Sequence, residues 1–328
     1  MWFLGFVILL VKLAAVLGAL VLLAVYLIWI ERRLLAKFET RLGPNRAGWH
    51  GALQPFADGV KILLKEDLIP KGADRFIFMM APAVVATSAL LLFVVVPFGE
   101  GFTFWGRRVP MLFTDLNVGL LYVVAISTVA VYGVVLAGWS SNSLYSLMGG
   151  IRGAAQMISY ELSLGLSLVP VVMMAGSFSL VDIVDAQAAY PFILVQPVGF
   201  LIFLVSTMAE AHRLPFDIPE AENELMGGYH TEYSGMRFGL FFVGEYVNML
   251  VLGSLVAVFF LGGWRGPLLP GVVWFVLKLL IVPFLLIWSR AALPRPRYDQ
   301  LMAFGWKCLI PVALVNIIAT GGLMLLFG

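Results

Sequence analysis

Six carboxylates crowd into one short stretch of an otherwise apolar chain. Glu210, Asp217, Glu220, Glu222, Glu224 and Glu232 lie within 210–237, together with Arg213, Arg237, His212 and His230. The flanks, 191–209 and 238–264, are almost wholly apolar. Carboxylates that share a site repel, so at least one holds its proton more tightly than it would in water. Such a cluster can accept and release protons or sense a nearby charge. Asp217-Ile218-Pro219-Glu220 has the residue types of a helix start, with Asp217 as N-cap, Pro219 in the first turn and Glu220 at the capping-box position. Gly227-Gly228 would end that short helix. Capping accounts for Asp217 and Glu220, and leaves Glu222, Glu224, His230 and Glu232 unexplained.

Three more acids fall where charge is costly. Glu161 and Glu245 lie inside apolar runs, and Glu210 closes one. Ionisable groups within a membrane span are expensive and mark proton or ion pathways. Only Glu, and not the cheaper Gln, can exchange a proton. A relay role is therefore favoured for Glu161 and Glu245 over a structural hydrogen bond.

The elements that must position these groups are membrane spans. Of 328 residues, 61% are hydrophobic and 12% charged, about half the charge of an average soluble domain. Eight runs reach the roughly 20 apolar residues a span needs: about 3–30, 76–98, 116–139, 154–176, 191–209, 238–264, 268–289 and 301–327. The expected fold is an all-α, polytopic single membrane domain, with no strand alternation and no internal repeat. The first run precedes its charges, so it reads as a retained span and not as a signal peptide. Sixteen Lys and Arg fall in loops 31–75, 140–153, 210–237 and 290–300 or just beyond them, against three on the other side. That bias puts those loops in the cytoplasm and both termini outside. No basic tract interleaved with aromatics suggests nucleic acid. One cysteine, Cys308, and three histidines outside the spans argue against an iron–sulfur or haem centre in this chain. If the protein handles electrons, the redox centre belongs to a partner.

Loop 31–75 opens with Glu31-Arg32-Arg33, passes a Gly43-Pro44-Asn45 turn, and reaches 53–64. There Leu53, Phe56, Val60, Leu63 and Leu64 share one helical face, and Asp58, Lys61 and Lys65 another. This is a short amphipathic surface helix. It is either a plain anchor or one wall of an access route at lipid level, with Asp58 and Lys61 facing a cavity.

These motifs carry a resemblance. Glu31-Arg32-Arg33, the Gly43-Pro44-Asn45 turn, Gln54-Pro55-Phe56-Ala57-Asp58, Ser159-Tyr160-Glu161 and above all the run from Ala209 through Ser234 resemble the H subunit of the proton-pumping NADH:quinone oxidoreductase, respiratory complex I, over about residues 25–306. The resemblance implies a membrane component of a translocase in the bacterial inner membrane. It would form the membrane side of a quinone chamber and bind no cofactor of its own. Quinone would be the substrate, with flavin and iron–sulfur clusters in partner subunits of the peripheral arm, and further partners in the membrane arm and the lipid. By motif match, Glu31, Arg32, Arg33, Asp58, Lys61 and Glu220 would line the quinone access and chamber. Glu161, Glu210, Glu222, Glu224, Glu232 and Glu245 would carry protons. The sequence departs from some relatives at Thr128, where a carboxylate can occur, and at Leu144, where a basic residue is common. The alternatives are the homologous anchor of an energy-converting hydrogenase and, from another class, a stand-alone ion or solute carrier.

Overall fold

The computed structural model describes residues 2–104, 107–109, 111–220 and 222–327, with side chains outside that description at 2–9, 102–109, 222–223 and 327. Helix α1, Trp2–Phe38, runs eight residues past the apolar stretch, because 31–38 contains only good helix formers and Gly or Pro comes no earlier than Gly43. The surface helix α2, Gln54–Leu64, starts with Pro55 in its first turn and leaves Phe56, Val60, Leu63 and Leu64 exposed, as its two-faced pattern requires. Its Phe56 meets Tyr26 of α1 edge-on, with ring centres 6.0 Å apart.

Helix α3, Arg75–Leu92, is capped by Asp74, whose carboxylate accepts from the Phe76 and Ile77 amides. A short hairpin follows, β1 (Phe102–Phe104) antiparallel to β2 (Arg107–Val109). It is an addition to the expected all-helical pattern and too short to show alternation. Helix α4, Gly119–Ser140, is followed by α5, Leu144–Ala175, which Gly176 ends in the left-handed conformation. The stretch 144–153, expected as loop, is the first part of α5. Its Ser and Gly residues signal a turn, but Ser146, Gly149, Gly150 and Gly153 are buried helical positions, so packing overrides local preference.

A short α6, Leu180–Ala186, leads to α7, Pro197–Glu210. Helix α7 has only 14 residues, about 21 Å of rise, so it is shorter than the expected 191–209 span. After a four-residue α8, Glu222–Leu225, comes α9, Gly235–Phe260, the axis of the molecule. Val247, Leu250, Val258, Phe259 and Phe260 on it are fully buried among α1, α3, α6, α7 and the next two helices. Helices α10, Gly271–Leu279, and α11, Ile281–Ala292, form one broken span. Pro283 cannot donate to the Leu279 carbonyl, which breaks the ladder there. Gly253 lets α9 approach that break, since a Cβ on it would collide with the Leu279 carbonyl oxygen. Helix α12, Tyr298–Phe304, joins α13, Ile310–Phe327, through a π turn at Gly305–Leu309 just before Pro311. Among the described residues seven helical stretches are long and apolar enough to cross a membrane, and α7 is a shorter apolar one. Lipid tails give little hydrophobic drive between helices, so close packing and internal polar contacts hold the bundle together.

Candidate functional site

The acidic stretch folds between α7 and α9 as a compact lobe set into the bundle. Ala211, His212, Ile218, Leu225, Tyr229 and Tyr233 are all buried. Gly228 closes the lobe. It sits at φ +62°, and a Cβ on it would overlap the Pro219 carbonyl oxygen, so only glycine fits. The helix expected from Asp217 is reduced to Glu222–Leu225, and Met226 and Gly227 at positive φ end it. Asp217 does not cap it. Arg295 donates to the Asp217 carboxylate at 2.8 Å, and Glu220 turns inward.

Glu31, Arg213 and Glu245 form the centre of a charge chain. Arg213 lies 3.5 Å from the Glu31 carboxylate and 3.6 Å from that of Glu245, and its guanidinium sits 4.6 Å from the centre of the Tyr246 ring. Glu31 also accepts from the Tyr246 hydroxyl at 2.7 Å and from Arg290. Glu245 accepts from the Tyr229 hydroxyl at 2.8 Å and is hydrogen-bonded to Glu220. Glu220 lies 4.0 Å from His230 Nδ1. Two carboxyl groups can share a hydrogen bond only when one carries the proton. Burial, then the charges of Glu245 and Asp217, holds the Glu220 carboxyl well above the ordinary range, so Glu220 is the protonated partner. Burial pushes Asp217 up to about 6 against the opposing pull of Arg295. It pushes the His212 imidazole down to about 4, which leaves His212 neutral.

A narrow cavity of about 30 Å³ continues from this chain into the bundle, lined in part by Ser127, Glu210, His212, Tyr229 and Glu245. That volume has room for one or two waters, and the lining offers polar groups to bind them. Among the described residues, His212 Nε2 is buried with no hydrogen-bond partner. Beyond the cavity, Ser127 and Thr128 on α4 both donate to Glu161 Oε1 on α5, at 3.0 and 2.6 Å. Glu210 is buried and within electrostatic range of Glu161.

The remaining expected residues lie apart. Arg32 pairs with Asp58 at 2.6 Å, and Gln54 steadies the same carboxylate at 3.0 Å. Arg33 lies over the Trp29 ring, and Lys61 is exposed on α2. One residue before Arg32, Glu31 points the other way along α1 and belongs to the internal chain. Glu224 pairs with Arg152 at 2.9 Å on the surface, Glu232 is half-buried, and the side chain of Glu222 lies outside the described residues. Sequence reasoning missed Arg213, Arg290, Arg295, Tyr229 and Tyr246. The three arginines counted there only toward loop charge. The available signal for Arg213 was a lone cation beside the lobe's first carboxylates.

The fold and this geometry define a class: a polytopic helical membrane protein with an internal chain of paired charges that leads from one end of the bundle toward its centre. The profile of the NADH dehydrogenase family matches residues 11–321. The chain is 65% identical to the second H subunit of NADH-quinone oxidoreductase from Syntrophobacter fumaroxidans, over 100% of this chain and 99% of that one. It is 58% identical to the NADH-quinone oxidoreductase H subunit of Syntrophotalea carbinolica, over 96% and 95%. It is 48% identical to the second such H subunit of Rhizobium meliloti, over 94% and 95%. The chain belongs to the H-subunit family of NADH-quinone oxidoreductase.

Proposed function

We propose that this chain, as a membrane subunit of NADH-quinone oxidoreductase, forms the membrane side of the quinone chamber and the first section of the proton path. The observation that carries this reading is the polar series Glu31–Arg213–Glu245–Glu220, then the cavity that Glu210 and Ser127 line, then Glu161 bonded to Ser127. Quinone reduction consumes two electrons and two protons, so charge develops in the chamber as it proceeds. A buried chain of alternating charges answers such a change by moving a proton, because an unbalanced charge in low dielectric is costly. Glu220, held protonated beside Glu245, is the ready donor. The cavity waters and Glu210 pass the proton on, and Glu161 takes it toward the membrane arm.

On this reading Arg32, Asp58 and Lys61 flank the access route at α2, where the exposed face of Phe56, Val60 and Leu63 meets the lipid. Electrons come from flavin and iron–sulfur groups in partner subunits. The loops rich in Lys and Arg lie in the cytoplasm and both termini outside. The test is Glu161→Gln and Glu245→Gln in the assembled complex. Proton translocation falls in each variant, while electron flow from NADH to an artificial acceptor is unchanged. Wild-type translocation and quinone reduction in both variants would sink the reading.

A further inference from the structure

Two neighbouring hydroxyls on α4 converge on one oxygen of Glu161. Thr128 Oγ1 lies 2.6 Å from Glu161 Oε1 and 2.9 Å from the Val124 carbonyl oxygen. Ser127 Oγ lies 3.0 Å from the same Glu161 oxygen and 2.9 Å from the same carbonyl. Each hydroxyl has one proton and two acceptors in reach. The Val124 carbonyl is the ordinary intrahelical acceptor for a helical Ser or Thr, so the Glu161 oxygen competes for both protons. Ser127 also lines the cavity that Glu210 and Glu245 line.

We propose that the Ser127–Thr128 hydroxyl pair is the relay that delivers a proton from the cavity to Glu161. The proposal rests on Glu161 being part of the proton path. With Glu161 ionised, both hydroxyls donate to Oε1. A cavity water then gives a proton to Ser127 Oγ and takes one from the Glu210 carboxyl, which is left ionised, while the proton already on Ser127 passes to Glu161 Oε1. One O–H bond forms and one breaks at Ser127, and Glu161 becomes neutral. Its new O–H donates to Thr128 Oγ1, whose own proton turns to the Val124 carbonyl. Ser127 Oγ, Thr128 Oγ1 and Glu161 Oε1 each keep a partner in both states, with the Val124 carbonyl taking the hydroxyl protons in the loaded one, so loading and unloading Glu161 requires hydroxyl rotation and no movement of helices. The pair does locally what a second carboxylate would do, without adding a second buried charge.

The test compares Ser127→Ala/Thr128→Val with Thr128→Ser and Glu161→Gln, each in the whole complex reconstituted in sealed vesicles. Protons moved per NADH oxidised are read beside the NADH-to-artificial-acceptor rate, which reports assembly. The double variant loses roughly half or more of its protons per NADH oxidised, because the group that passes the proton is gone. Thr128→Ser keeps the wild-type ratio because it keeps the hydroxyl. A purely packing role would lower assembly or rate and leave the ratio alone. A wild-type ratio in the double variant alongside a loss in Glu161→Gln overturns the relay but not the path. A wild-type ratio in both removes the path itself. Should the double variant fail to assemble, Ser127→Ala alone decides by the same ratio.

Discussion

Replacing Arg213 with methionine removes the cation that Glu31 and Glu245 share. Methionine keeps much of the length of the side chain and none of the charge. At an effective dielectric of about 20, a unit pair at 3.5 or 3.6 Å interacts by about 5 kcal/mol. Part of this is offset in the native protein by the desolvation of three charges, so the gross value is not the cost of the change. Breaking a buried pair by removing one partner costs about 3–5 kcal/mol, because the other charge is left behind. Glu31 keeps Arg290 and the Tyr246 hydroxyl. Glu245 keeps the Tyr229 hydroxyl, Glu220 and the more distant His230, and loses the arginine at ion-pair distance. The loss therefore falls mainly on Glu245, and the variant takes up a proton there to avoid it. A complex that carries this proton throughout the cycle has one fewer site to load. The expected result is a fall of at least about tenfold in quinone-dependent proton translocation, which is about 1.4 kcal/mol of the available penalty. NADH-to-artificial-acceptor activity stays unchanged. Arg213→Lys recovers part of the loss, since a single ammonium cannot reproduce the planar fork between two carboxylates. Wild-type translocation in the methionine variant, with wild-type heat inactivation, would refute the claim that Arg213 couples the two carboxylates.

Three further outcomes follow from other contacts. Gly228→Ala places a methyl group against the Pro219 carbonyl oxygen at a positive φ, so the amount of assembled complex in membranes, read by immunoblot, drops sharply. His212 has a folded pKa of about 4 against 6.5 unfolded. The folded state binds fewer protons between those values, so its contribution is present above pH 6.5 and is lost as pH falls through 4. This amounts to about 3 kcal/mol in all, and His212→Asn flattens the acid side of a heat-inactivation profile of the solubilised complex. Glu224→Gln breaks only an exposed pair with Arg152, which is worth under about 1 kcal/mol, so heat stability is unchanged within error.

The long apolar helices were legible in the sequence because lipid demands long apolar runs, and the two-faced pattern of α2 was legible for a similar reason. The start of α5 was not. Ser146, Gly149 and Gly150 read as a turn by residue type, and only their burial against other helices makes them helical. Asp217 shows the same limit from the other side. Its local pattern is that of a helix cap, yet its partner is Arg295, 78 residues away. Glu31 and Arg290 are 259 residues apart. Local preference says nothing about such pairings, so the acids could be named as unusual while the arginines that hold them passed as ordinary loop charge.

The turn that follows α7 explains why these charges meet. Helix α7 ends at Glu210, one residue past the end of the apolar run, and is short because it starts at Pro197. The chain then folds back among the helices, where Ala211, His212, Ile218 and Tyr229 are buried. Buried irregular backbone needs polar partners from its surroundings, and His212, Tyr229 and Glu210 line the cavity beside it. Arg213 of this lobe reaches Glu31 on α1 and Glu245 on α9. If α7 ran on as a straight helix through 211–220, it would rise about 15 Å past Glu210 and carry Arg213 and Glu220 away from those carboxylates. The turn at the end of α7 is thus what brings an acidic loop onto carboxylates of two long helices.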